Sequence, residues 1–114
     1  MEIQIQDYPK IIRDKMVDIK KEKAGPGARV EIVDDQIEKS ALLVKKVLEE
    51  AVELQGAKTR EFFVSEIADI LEAVESIEEI YNITNEEVRY AMEAKKEIEG
   101  GYDGGYSLIK QDEE

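Results

Sequence analysis

Phe63, Ile67, Ile70, Val74, Ile77 and Tyr81 recur at 4-3-4-3-4 spacing. Only an α-helix of about five turns puts six side chains so spaced on one line. A strand, with its period of two, would send them to both faces. The spacing therefore predicts a helix from Arg60 to Tyr81 with a packing seam of the bundle type. The segments around it read the same way. Asp35 stands three residues before Glu38, an acidic variant of the capping-box spacing, and predicts a long helix from Gln36 to Gln55 with Gly56 as its stop. Thr84 and Glu87 form the spacing of a capping box, opening a further helix that ends at Gly100-Gly101. Ile12, Met16 and Ile19 suggest a shorter first helix from Arg13 to Ala24, closed by Gly25-Pro26-Gly27. Residues 2–6 and 28–33 alternate polar and apolar, but these stretches are too short to define a sheet and read as extended arms. Four helices with short connections and no sheet predict an all-α helical bundle. With 114 residues the chain is expected to be one domain, residues 1–9 forming an N-terminal arm and 100–114 a loop and tail.

Composition removes several kinds of chemistry. There is no Cys and no His, so disulfides, iron–sulfur clusters, imidazole-ligated zinc, thiol nucleophiles and Ser-His triads are excluded. A metal site in this chain has to be built from oxygen, which selects Mg²⁺, Mn²⁺ or Ca²⁺. The formal net charge is -12. It disfavours polymeric nucleic acid and anionic membranes and favours cations. No apolar run approaches the roughly 20 residues of a membrane span, and the first ten residues do not resemble a signal peptide. The expected location is the cytoplasm.

Two clusters of acid stand out. The second helix carries Glu49, Glu50 and Glu53, and the third carries Glu66 and Asp69. Residues three apart lie on the same side of a helix, so Glu50 with Glu53, and Glu66 with Asp69, each converge. An antiparallel pairing of the two helices brings all four carboxylates to one place. Glu50 interrupts the stripe Leu43, Val47, Leu54, and Glu66 and Asp69 interrupt the stripe Phe62, Ala73. Acids within apolar stripes face inward and need a partner, and a divalent cation offsets their mutual repulsion. The competing reading is a solvated acidic face, since 28 of 114 residues are acidic. Glu72, Glu75 and Glu78 share the same spacing and are expected to face water.

These motifs resemble those of the MazG-like all-helical nucleotide pyrophosphohydrolases, whose hallmark is EExxE followed by ExxD. Here they read Glu49-Glu50-Ala51-Val52-Glu53 and Glu66-Ile67-Ala68-Asp69. The opening Lys10-Ile11-Ile12-Arg13-Asp14-Lys15-Met16 is similar to the KLVRDKI opening of the phosphoribosyl-ATP pyrophosphohydrolase-like branch. Gly100-Gly101-Tyr102 is similar to its RGGF segment. The likeness covers residues 10–108. It implies a MazG-like four-helix bundle with an antiparallel central pair, and Mg²⁺, or alternatively Mn²⁺, held by Glu50, Glu53, Glu66 and Asp69. It also implies that Glu49 acts on the attacking water. Glu99 departs from the basic residue that precedes the glycines in that branch, so a phosphate contact there is either absent or supplied by Lys95 or Lys96.

The implied reaction is hydrolysis of a nucleoside triphosphate to a monophosphate and pyrophosphate, of the house-cleaning type. Arg13 and Lys15 are expected to meet phosphate, Arg bidentately and Lys as a point charge. Lys95 is a third such cation, and Tyr102 is a candidate for stacking on a base. Two alternatives keep the helices but change the role. One is the phosphoribosyl-ATP pyrophosphohydrolase of histidine biosynthesis, and the other is a non-enzymatic helical oligomerisation module. Small size and a bundle seam lead to the expectation of a homodimer or homotetramer.

Overall fold

The structure, a computed structural model, describes residues 6–112. Among these the chain is all-helical. A 3₁₀ turn at Asp14–Met16 leads into α1 (Val17–Ala24), followed by α2 (Gln36–Gln55), α3 (Arg60–Ile80) and α4 (Asn85–Glu99). The residues form two compact units that divide between Asn82 and Ile83. The alternation at residues 2–6 falls, apart from Gln6, outside the described residues. Residues 28–33 adopt neither helix nor strand.

In the first unit, side-chain caps set where the long helices start. The Asp35 carboxylate accepts from the Glu38 N–H at 3.0 Å and opens α2. Thr59 does the same for α3, accepting from the Phe62 N–H at 3.2 Å. This cap was not read from the sequence, although Thr followed by a helical run is its signature. Only four residues, 56–59, join α2 to α3, so the helices fold back on each other. At the far end of the pair the Tyr81 hydroxyl donates to Ser40 Oγ at 3.0 Å, joining the end of α3 to the start of α2 and fixing an antiparallel arrangement. Asn82, which follows, has φ 55°, a left-handed conformation that Asn tolerates better than most residues.

Leu43 and Ala73 are the buried apolar residues between α2 and α3. Val47, Leu54, Ile70, Val74 and Ile77 are half-buried around them. The orientation of α3 differs from the expected seam. Phe63 and Ile67 are 44% and 45% exposed, whereas Glu66 and Ala73 on the neighbouring stripe are buried. Ala73 explains the choice, because a small side chain lets two helix axes approach closely, and α3 turns that face to α2. The first helix also begins later than expected. Arg13 is extended, with φ -68° and ψ 147°, and no side-chain cap supports a helical turn there.

In the second unit Thr84 and Glu87 complete a reciprocal capping box on α4. The helix ends at Gly100, whose φ of 84° suits glycine and whose N–H reaches the Lys96 carbonyl at 2.8 Å. No helix among the described residues is long and apolar enough to cross a membrane.

Candidate metal centre

Antiparallel pairing places the second half of α2 beside the first half of α3. Glu50, Glu53 and Glu66 each bring a carboxylate oxygen within 4.8 Å of the other two. Glu50 is 5% exposed and Glu66 6%, while Glu53 is open to solvent. Two walls are thus buried carboxylates and the third is reachable from outside.

The buried pair is short of partners. Lys46, one turn before Glu50, contacts its Oε1 at 3.1 Å. The Oε2 atoms of Glu50 and Glu66 are both buried without a hydrogen-bond partner. Such groups are costly to leave unsatisfied. A cation seated between them, or a proton shared by the two carboxyls, would satisfy these atoms. The electrostatics follow from this. The adjoining Glu50 carboxyl, helped by burial, pushes Glu66 up to about 7. Burial acts to raise Glu50 too, but hydrogen bonding with Glu66 and Lys46 outweighs it and Glu50 lies below the ordinary carboxylate range.

The other residues expected at the site lie as follows. Asp69, one turn beyond Glu66, is outside the group of three. Its Oδ1 accepts from an Arg13 guanidinium nitrogen at 2.7 Å. Arg13, expected to meet phosphate, is forked between Asp69 and Glu72, and both contacts raise its pKa. Glu49 is half-buried beside Lys45, with 3.9 Å between the charged atoms. Lys15 is exposed in the 3₁₀ turn. Lys95 and Tyr102 belong to the second unit. Lys95 lines a shallow hollow of about 360 Å³ on α4 with Ile83, Glu87, Val88, Ala91 and Met92. Tyr102 is 99% exposed in the tail.

Three participants escaped the sequence reading. Lys46 was legible in principle, standing four residues before Glu50 on one helix. Glu72 faces water as expected but also holds Arg13. Lys45 donates to the Pro9 carbonyl at 2.5 Å, tying the N-terminal segment to α2. These last two contacts are long-range and leave no trace in helical periodicity. Comparison with protein-family models, with curated proteins and with solved structures finds no match to the chain.

Proposed function

We propose that the chain is a Mg²⁺-dependent nucleoside triphosphate pyrophosphohydrolase of MazG-like design, releasing a nucleoside monophosphate and pyrophosphate. The observation that carries this reading is the pair of buried, partnerless oxygens on Glu50 and Glu66, within reach of Glu53. An all-oxygen donor set of this kind suits Mg²⁺, with Mn²⁺ as the alternative. A dication held there supplies charge neutralisation at phosphate and acidifies bound water.

Glu50, Glu53 and Glu66 hold the ion in this account, with Asp69 as the further ligand. Glu49, which stands beside Lys45 on α2, orients the attacking water. Arg13 and Lys15 provide cations for the phosphates. The motif order from Arg13 to Tyr102 supports the resemblance, and the triad supports its metal-binding half. A panel of nucleoside triphosphates incubated with Mg²⁺, read out as pyrophosphate release, tests the proposal. Turnover of at least one nucleotide that stops when EDTA is added is the expected result, and no release from any of them contradicts it.

The apolar surface of α2 and α3 supports assembly. Val44, Val52, Phe63, Val64, Ile67 and Leu71 are each more than two-fifths exposed. Exposed apolar side chains in this number favour an interface, and a second copy of the same helix pair would complete a four-helix bundle. Light scattering at micromolar concentration is expected to give a homodimer or homotetramer; a monomer contradicts this part of the account. The same face would serve a non-enzymatic oligomerisation module, which would assemble without any response to Mg²⁺.

A further inference from the structure

Arg13 lies 56 residues from Asp69 in sequence, yet its guanidinium bridges Asp69 and Glu72, two carboxylates three residues apart on α3. Four residues earlier the Pro9 carbonyl is held by Lys45 of α2. Residues 9–13 therefore cross from α2 to α3 as a strap anchored at both ends. The α3 end of that strap rests on the acid one turn beyond Glu66, on the same side of the helix.

We propose that Arg13 is a tethered cation that latches Asp69 away from the carboxylate cluster, and that a divalent cation entering the cluster displaces it and frees the guanidinium for an anionic ligand such as a polyphosphate. This rests on reading Glu50, Glu53 and Glu66 as a metal site. The two ends of the exchange differ in strength. The latch is a solvent-reachable ion pair, with the Arg13 side chain 53% and the Asp69 side chain 31% exposed, and pairs open to solvent hold weakly. The cluster contains two buried oxygens without partners, and groups of that kind bind a cation strongly when one is offered. A dication also offers Asp69 twice the charge that Arg13 does. Once released, Arg13 stays close, because four residues of chain from the Pro9 anchor span at most about 14 Å. A guanidinium fork matches phosphate as well as carboxylate.

Titration calorimetry of the full chain with Mg²⁺ alone, comparing wild type with Arg13→Gln, tests the latch. Removing the competitor is expected to tighten Mg²⁺ binding about 5-fold, the worth of one exposed ion pair. A second measurement needs no variant to fold. Nitrogen NMR of the arginine side chains in wild type should show the Arg13 guanidinium with slowed rotation in metal-free protein and faster rotation at saturating Mg²⁺, when Glu72 is its remaining carboxylate partner. Adding tripolyphosphate to the Mg²⁺-loaded protein should slow it again. If Mg²⁺ binds both proteins equally and the Arg13 signals do not change, the latch is wrong and the metal site stands. If wild type takes up no Mg²⁺, or Glu66→Gln binds it equally well, the metal reading fails and the latch fails with it.

Discussion

Glu66→Gln is expected to abolish Mg²⁺-dependent pyrophosphate release, by roughly 100-fold or more, while the protein stays folded. The size follows from what one ligand contributes. A metal-assisted phosphoryl reaction draws several kcal/mol of stabilisation from the ion, and each 1.36 kcal/mol is tenfold in rate. The fold should survive because the amide keeps the shape of the carboxyl and donates a hydrogen bond towards Glu50, whose Oε2 is buried and without a partner. Metal-free Glu66→Gln is therefore expected to melt no lower than metal-free wild type. Glu53→Gln and Asp69→Asn should lose activity as well, each by removing a negative charge from the proposed ligand set. Glu72→Gln is not an inert comparison, because Glu72 holds Arg13. Glu75, exposed on the same helix, is the better control, and Glu75→Gln should retain full activity. Steady-state pyrophosphate assays with circular dichroism of each variant check these outcomes. Equal loss in Glu66→Gln and Glu75→Gln would reduce the acids to a solvated face.

The second large effect is on pH. Glu66 is pushed up to about 7 by Glu50 and burial, whereas an unfolded chain leaves it near the ordinary carboxylate value of 4.5. The folded metal-free protein thus binds this proton more tightly than the unfolded one. The stability contributed by Glu66 is fully present below about pH 4.5 and is lost as pH rises through about 7. Glu50 acts with the opposite sign. Its lowered pKa contributes stability above the ordinary carboxylate range that is lost as pH falls. A dication must displace the Glu66 proton, so Mg²⁺ affinity should rise about tenfold per pH unit below 7 and level off above it. Calorimetry in two buffers of different ionisation enthalpy counts the protons released. About one is expected at pH 6, almost none at pH 8.5, and none at either pH in Glu66→Gln. A wild-type affinity independent of pH between 6 and 8 would contradict the shared-proton account of the Glu50–Glu66 pair.

Helix boundaries were the most legible feature because local chemistry decides them. Asp35 and Thr84 carry their caps in their own side chains, and α2 and α4 begin where those residues predict. The meeting of Glu50, Glu53 and Glu66 was legible as well, because it needs only two spacings of three residues and a short turn at 56–59. The inward turn of Glu66 and Ala73 was legible too, from the acids that interrupt their stripe, but the exposure of Phe63 and Ile67 on the more apolar line was not. Asp69 carried the right spacing for the cluster, yet its partner is Arg13, in a strap whose path over α2 and α3 follows from two long-range contacts. Periodicity reports which residues share a face of one helix and is silent on which distant segment comes to lie across it.

The most direct test of the metal site is thermal unfolding of the whole chain at pH 8, with EDTA and with a large excess of Mg²⁺. A ligand at 100 times its dissociation constant adds about 2.7 kcal/mol, worth roughly 10 °C in a domain of this size. A rise of that order in wild type and in Glu75→Gln, and none in Glu66→Gln, is the result expected of a cation seated on Glu50, Glu53 and Glu66. Melting temperatures that do not respond to Mg²⁺, or that rise equally in all three proteins, would contradict it.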